Sequence, residues 1–157
     1  MFNPVKLFFS IFLSFFPGIV SLFWTVGAGA DSWYNTVHKT VLAPPHWVFL
    51  VVWPILYLLL AISFYLLILP RYTKRSIDLP VALFGIHMVL NTLWNYLIFG
   101  LHLIFPGVIV LIGLIITAFI MQRKFALENE TSGLLIWPYI IWLIYAFYRN
   151  VSILILN

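Results

Sequence analysis

The sequence contains no cysteine and very few charged residues, and both shortages limit what the chain can be. Without cysteine, neither a disulfide framework nor a thiolate metal site is available. Charged residues make up 8% of the chain and hydrophobic residues 64%, with a mean hydropathy of +1.12. A water-soluble domain of this composition would lack the polar residues to cover its surface. We therefore predict an integral membrane protein.

Acidic residues are also scarce, and all four fall in predicted connectors: Asp31, Asp78, Glu128 and Glu130. We therefore expect no acid-base pair or activated nucleophile within the apolar segments, which argues against ordinary hydrolysis. His87 and His102 are too few and too separated to predict a metal site. The net charge of +4 is spread over short connectors without a dense basic cluster, so we expect no nucleic-acid partner.

Five segments are almost free of charge: residues 7–30, 46–69, 79–101, 103–122 and 134–156. A helix needs about 20 apolar residues to cross the hydrocarbon layer. The strands of a β-barrel would alternate in polarity, whereas residues 56–69 are apolar on every side. We predict an all-α fold, in which residues 1–157 form a single domain of five transmembrane helices.

The cations of the connectors predict the orientation, because short cytoplasmic loops retain lysine and arginine. One face of the predicted bundle carries Lys6, Arg71, Lys74, Arg75, Arg123 and Lys124, whereas the other carries only Lys39. We predict a multi-pass protein of the bacterial cell membrane with a cytoplasmic N-terminus. An outer or organellar membrane is the alternative.

The longest connector, residues 27–45, is the only one large enough to form a structured lid. It carries Trp33, Tyr34 and Lys39, and it ends in Pro44 and Pro45, which stiffen the entry into the second helix. Aromatic rings at this level could equally form an interfacial belt. The connector is thus either a lid or an anchor.

Aromatic and polar side chains recur at helical spacing on three of the predicted helices. The second helix has Phe49, Trp53 and Tyr57, the third has His87, Asn91, Trp94 and Asn95, and the fifth has Trp142, Tyr145, Ala146, Arg149 and Asn150. Such stripes can serve helix packing and interhelical hydrogen bonds alone. Indoles in mid-bilayer also need partners for their N–H groups, which favours an enclosed and partly polar cavity.

Arg149 is the most unusual of these residues. A guanidinium within a span costs about 2.5 to 3.5 kcal/mol on insertion scales, unless the side chain snorkels to the interface. One interpretation is snorkelling, and the other is a counter-charge for a ligand carboxylate. Together with Leu143 and Tyr145, it also fits a loose pattern proposed for sterol contact.

The succession of these signatures resembles the TspO family of tryptophan-rich sensory proteins, also called translocator proteins or peripheral-type benzodiazepine receptors. The resemblance runs from the first helix to Asn157. It rests on Trp33, Tyr34, Lys39, Pro44, Pro45, Trp47, Phe49, Trp53, Tyr57, Asn91, Trp94, Phe99, Gly100, Pro138, Tyr139, Trp142, Ala146, Asn150 and Asn157.

The resemblance implies a five-helix bundle, usually dimeric, with a ligand cavity under the loop between the first two helices. It implies a membrane receptor for protoporphyrin IX and other flat hydrophobic ligands, among them isoquinoline carboxamides, benzodiazepines and sterols, without a required cofactor or metal. The alternatives are light-dependent degradation of porphyrin and translocation of porphyrin or sterol. The residues expected to bind ligand are Trp33, Tyr34, Pro45, Trp47, Phe49, Trp53, Tyr57, Asn91, Trp94, Trp142, Tyr145, Ala146, Arg149 and Asn150.

The resemblance also implies catalytic roles for Trp53 and Trp142 if porphyrin is degraded, whereas Lys39, His46 or Arg149 could meet ligand carboxylates. The chain departs from the family pattern at three places. Thr40 and Leu42 stand where a proline and a tryptophan are usual, Tyr96 replaces a common proline, and Arg149 replaces a leucine.

Overall fold

The computed structural model describes residues 2–25, 33, 36–40, 44–69 and 78–157, and these residues contain helices and turns but no strand. The helices are α1 (Pro4–Thr25), α2 (His46–Ile68), α3 (Asp78–Asn95), α4 (Ile104–Glu128), α5 (Glu130–Leu134) and α6 (Trp137–Leu156), and a π-helix, Tyr96–Gly100, continues α3. Five spans are long and apolar enough to cross a bilayer, with α5 and α6 together forming the fifth. The predicted all-α bundle is confirmed.

The connectors differ from the sequence prediction in one respect. Helix α4 continues to Glu128 instead of ending near residue 122, and only Asn129 separates it from α5. The Asn129 side chain accepts a hydrogen bond from the Ser132 N–H at 3.0 Å, which caps α5. Because charged residues can extend a helix beyond the hydrocarbon, the segment between the predicted spans 103–122 and 134–156 is largely helical. Residues 26–30 and 70–77 lie outside the described part of the chain.

The distribution of side chains is inverted relative to a water-soluble protein. Phe8, Val89 and Ile155 are exposed, whereas His87 and Asn91 are fully buried. An apolar exterior of this extent would be unstable in water but suits lipid, where polar groups must find partners inside the bundle. The bundle is therefore that of an integral, multi-pass membrane protein.

The half of the bundle around the start of α1 has a solid core. The rings of Phe64 and Phe84 stack at 4.1 Å between α2 and α3. Ser63 and Ser132 each donate a hydrogen bond to the other's backbone carbonyl at 2.7 Å, which joins α2 to α5. Lys6 Nζ donates to the Ile68 carbonyl at 2.7 Å and so caps the end of α2. These contacts hold α1, α2, α3 and α5 together in this half.

The other half, around the end of α1 and the start of α2, is built differently. The π-helix lies here, where the Leu101 N–H donates to the Tyr96 carbonyl at 2.9 Å, five residues back. This wider turn is a common device at functional sites. Its residues Ile98 and Phe99 lie at the edge of a cavity between the helices.

Candidate ligand-binding cavity

A cavity of about 390 Å³ occupies this half of the bundle. Its walls come from α1, α2, α3, the π-helix, α4 and α6, and Trp33 lies at its edge. Small-molecule sites usually enclose about 300 to 1,000 Å³ and combine apolar walls with a few polar groups. The volume of this cavity and its mostly apolar lining fall within that range.

Three indoles from separate helices meet at the cavity. The Trp53 ring lies 5.8 Å from that of Trp94 and 6.5 Å from that of Trp142, and Trp53 also packs 5.4 Å from Tyr57. The Nε1 atoms of Trp94 and Trp142 are buried and find no acceptor in the described part of the chain. These two residues therefore offer the cavity mainly their ring surfaces, which suit a flat apolar molecule.

Arg149 brings a positive charge to the same wall. The side chain is 9% exposed, and its Cζ lies 4.4 Å from the centre of the Phe49 ring. This distance is typical of a cation–π contact, which holds the guanidinium beside the aromatic wall. The Phe49 ring in turn packs edge-on against Trp142 at 5.9 Å. The lining therefore places a cation next to aromatic rings that pack edge to face.

A buried hydrogen-bond network lies behind the cavity. The backbone carbonyl of Asn91 determines which of its groups donate and which accept. Asn95 Nδ2 lies 2.9 Å from the Asn91 backbone oxygen and 3.0 Å from Asn91 Oδ1. Because a backbone carbonyl only accepts, Asn95 must present its NH₂ group there, and the Asn91 side chain must present its oxygen. The Tyr57 hydroxyl, 3.1 Å from Asn91 Oδ1, is therefore a donor.

The hydrogen-bond network continues from Asn91 across the bundle, and donors and acceptors can be assigned in the same way. Asn91 Nδ2 donates to the Tyr139 hydroxyl at 2.8 Å, and that hydroxyl donates to His87 Nε2 at 2.9 Å. His87 Nδ1 then carries the proton and donates to Thr117 Oγ1 at 2.8 Å, while Thr117 donates to the Gly113 carbonyl at 2.9 Å. The network thus contains a neutral histidine and links α2, α3, α4 and α6.

Helix α1 contributes a wall of small and hydroxylated residues that sequence reasoning missed. Gly18, Ser21 and Thr25 line the cavity. Ser21 Oγ donates to the Gly18 carbonyl at 2.7 Å, and Thr25 Oγ1 donates to the Ser21 carbonyl at 2.9 Å. Together with the buried Ser14, these residues follow at spacings of four, three and four, which is the helical signal that marks this inner face.

The described parts of the long connector contact the turn between the π-helix and α4 and the end of α6. The Trp33 ring stacks on that of His102 at 4.3 Å, and His102 has a positive φ of 58°. The His38 N–H donates to Asn157 Oδ1 at 2.9 Å, and Asn157 Nδ2 donates to the His38 carbonyl at 3.1 Å. Tyr34 and the side chain of His46 lie outside the described residues.

The structure brings ten of the predicted ligand residues to the cavity wall: Trp33, Phe49, Trp53, Tyr57, Trp94, Trp142, Tyr145, Ala146, Arg149 and Asn150. Asn91 is fully buried behind the wall and contacts Tyr57. Among the described residues, Pro45 and Trp47 are exposed and do not line the cavity. Within the same residues, no three potential metal-ligating side chains lie together.

Fold and cavity together define a helical, multi-pass membrane protein with an aromatic-lined cavity between its spans. Comparison with known proteins gives the class a name: the model of the TspO/MBR family matches residues 10–156. The chain belongs to the TspO/MBR family, which confirms the resemblance inferred from the sequence.

Individual relatives cover most of the chain. Protein CrtK from Rhodobacter capsulatus is 33% identical over 126 residues, which are 80% of this chain and 79% of that protein. Tryptophan-rich protein TspO from Archaeoglobus fulgidus is 32% identical over 155 residues, or 99% of each chain. Tryptophan-rich protein TspO from Chlorobaculum tepidum is 32% identical over 128 residues, or 82% of this chain and 81% of that protein.

Proposed function

We propose that this protein is a membrane receptor that binds protoporphyrin IX and other flat hydrophobic molecules in the cavity and takes part in tetrapyrrole sensing. The observation that carries the proposal is the meeting of Trp53, Trp94 and Trp142, from three separate spans, around one cavity. A further relative, from Cereibacter sphaeroides, is named tryptophan-rich sensory protein, which supports a sensory role.

The chemistry of a porphyrin matches the lining. A porphyrin is a large apolar disc with carboxylates at one edge, and aromatic side chains hold such a disc through their faces and edges. Arg149 offers a charge-assisted hydrogen bond to one carboxylate, and a site away from water makes that bond stronger. The disc would thus contact the indoles while its acidic edge points toward α6.

Titration with protoporphyrin IX in darkness tests the proposal. Purified protein in detergent should show saturable quenching of tryptophan fluorescence, and Trp53→Ala should weaken binding because it removes the ring that contacts both other indoles. The control is Trp137→Phe, which removes an indole that packs against Phe119 away from the cavity. Equal affinity of the Trp53→Ala protein and the wild type would reject the cavity as the binding site.

A matched pair of ligands tests the role of Arg149. Charge-assisted hydrogen bonds contribute about 1.5 to 3 kcal/mol, so Arg149→Leu should weaken protoporphyrin IX by about tenfold or more. The dimethyl ester, which carries no negative charge, should bind the variant and the wild type alike. Similar losses for both ligands would mean that Arg149 supports the shape of the wall and not the charge of the ligand.

A second candidate function is light-dependent degradation of the bound porphyrin. It is favoured by the position of Trp53 and Trp142 on the wall, with ring centres 6.5 Å apart, where both indoles would contact a photoexcited ligand. Illumination of the complex should then change the pigment spectrum, and Trp53→Phe or Trp142→Phe should abolish the change. A translocator would instead carry porphyrin into sealed vesicles in darkness. The homodimer remains a prediction. Measuring the molar mass of the protein in its detergent complex tests it.

A further inference from the structure

Two asparagines line the cavity, and each has its NH₂ group bonded to a backbone carbonyl of its own helix, which leaves its amide oxygen without a hydrogen bond in the described part of the chain. Asn95 Nδ2 donates to the Asn91 backbone carbonyl at 2.9 Å, and Asn150 Nδ2 donates to the Ala146 backbone carbonyl at 2.8 Å. A backbone carbonyl cannot donate, so neither amide can turn round without losing its bond. Both residues line the cavity and are nearly buried, at 7% and 8% exposure.

The hydroxyl groups of the wall have the same polarity. Ser21 and Thr25 donate their protons to carbonyls of α1, and Tyr57 donates its proton to Asn91 Oδ1. Within the described part of the chain, the Ser21 and Thr25 hydroxyl oxygens and the two amide oxygens accept no hydrogen bond, whereas the Asn95 side chain also interacts with the Tyr57 hydroxyl. Pro54, which also lines the cavity, lacks the N–H that would bind the Leu50 carbonyl.

The polarity is built into the bundle and does not depend on free rotation of the side chains. For the Tyr57 hydroxyl to accept from Asn91 instead of donating to it, the Asn91 amide would have to turn round. The NH₂ group of Asn91 would then face the NH₂ group of Asn95. Buried hydrogen-bond networks of this kind are rigid because each member fixes the next. The orientation of the Asn95 amide is therefore a fixed property of the fold.

We propose that the cavity selects ligands that carry outward-pointing N–H or O–H donors on the edge of a flat apolar ring system, and that Asn95 and Asn150 are the residues that determine this selectivity. The inference rests on the proposed function, that the cavity binds flat hydrophobic ligands. In a site away from water, a carbonyl or ether oxygen of the ligand placed directly against the Asn95 or Asn150 oxygen would face a like partial charge, whereas a donor there gains a hydrogen bond. Pyrrole-type and indole-type N–H groups on a ring edge have the required chemistry.

Carbazole and fluorene form a matched pair for the test, because they share one flat tricyclic shape and differ in an edge N–H against a CH₂ group. Equilibrium dialysis of the detergent-solubilised protein, corrected with empty micelles, gives the affinity for each. A neutral hydrogen bond contributes about 0.5 to 1.5 kcal/mol, so the wild type should prefer carbazole by about threefold to tenfold. Equal affinities, or no binding of either probe, would overturn the inference.

Variants then assign the preference to the two amides. Asn150→Leu and Asn95→Leu should each reduce the ratio of carbazole to fluorene affinity, and Asn150→Leu is the cleaner change because its described hydrogen bond stays within α6. The controls Thr92→Val and Ser152→Ala each remove a hydroxyl that bonds four residues back on the same helices without lining the cavity. They should keep the wild-type ratio. An unchanged ratio in both leucine variants would contradict the assignment.

The outcome for protoporphyrin IX separates this inference from the proposed function. A protein that prefers carbazole but does not bind protoporphyrin IX would contradict the porphyrin receptor and support donor selectivity. A protein that binds protoporphyrin IX but has equal affinities for carbazole and fluorene would support the porphyrin receptor and contradict donor selectivity.

Discussion

Replacing Gly18 with alanine should destabilise the protein, because a Cβ atom at this position would lie 2.8 Å from Cε2 and 3.4 Å from Cδ2 of Tyr57. Carbon atoms pack best about 3.5 to 4.0 Å apart, so the ring would have to retreat by about 0.7 Å. The Tyr57 ring is poorly placed to do so. It is 4% exposed, packs against Trp53 at 5.4 Å and Phe15 at 5.8 Å, and donates its hydroxyl hydrogen to Asn91.

The size of the effect follows from three contributions. Forcing an extra methyl group into a packed interior costs about 1 to 3 kcal/mol, and stretching the hydrogen bond of the tyrosine costs about 1 kcal/mol more. Alanine is a better helix former than glycine by about 1 kcal/mol, which offsets part of the loss. We therefore expect Gly18→Ala to lower the free energy of unfolding by about 1 to 3 kcal/mol.

The assay is equilibrium unfolding in mixed detergent micelles, followed by tryptophan fluorescence. Gly85→Ala is the matched control, because a Cβ atom there would meet nothing within 4 Å. It should leave the stability unchanged or raise it slightly. Combining Gly18→Ala with Tyr57→Phe should cost less than the sum of the single changes, since the ring without its hydroxyl can move. If Gly18→Ala were as stable as Gly85→Ala, the close approach of α1 to α2 would be refuted.

Two further predictions concern buried contacts away from the cavity. Tyr139→Phe leaves Asn91 Nδ2 and His87 Nε2 without the partner that they share in the described part of the chain, so the free energy of unfolding should fall by about 1 to 3 kcal/mol. Replacing the exposed Tyr148 with phenylalanine should have no effect, and equal unfolding midpoints for the two variants would contradict the network. Gly133→Ala should destabilise more than Gly18→Ala in the same assay, because its Cβ would meet the Ala126 backbone Cα at 2.7 Å, and backbone yields less readily than a side chain.

The five spans were predictable because their signal is strong. Apolar runs of this length have few stable alternatives to a membrane-spanning helix, and the spacing of His87, Asn91, Trp94 and Asn95 places all four on one side of α3. All four are indeed buried. Periodicity thus identified the inward faces of the helices that carry large or polar side chains.

Other features could not be predicted because they depend on contacts between helices. The role of Tyr139 as a bridge between Asn91 and His87 requires α3 and α6 to be adjacent, which hydropathy does not reveal. The contribution of α1 was missed because serine and threonine within a span can bond to their own helix and need no cavity. The end of α4 was missed because hydropathy marks the edge of the hydrocarbon and not the end of the helix.

The π-helix at Tyr96–Gly100 makes the shape of this cavity sensitive to insertions and deletions in the sequence. Each residue added to or removed from a helix rotates everything beyond it by about 100°. Deleting a single residue from this wide turn would restore α-helical geometry and rotate Ile98 and Phe99 away from their present positions in the cavity lining. The part of the cavity lining formed by Ile98 and Phe99 is therefore open to remodelling by a change in chain length.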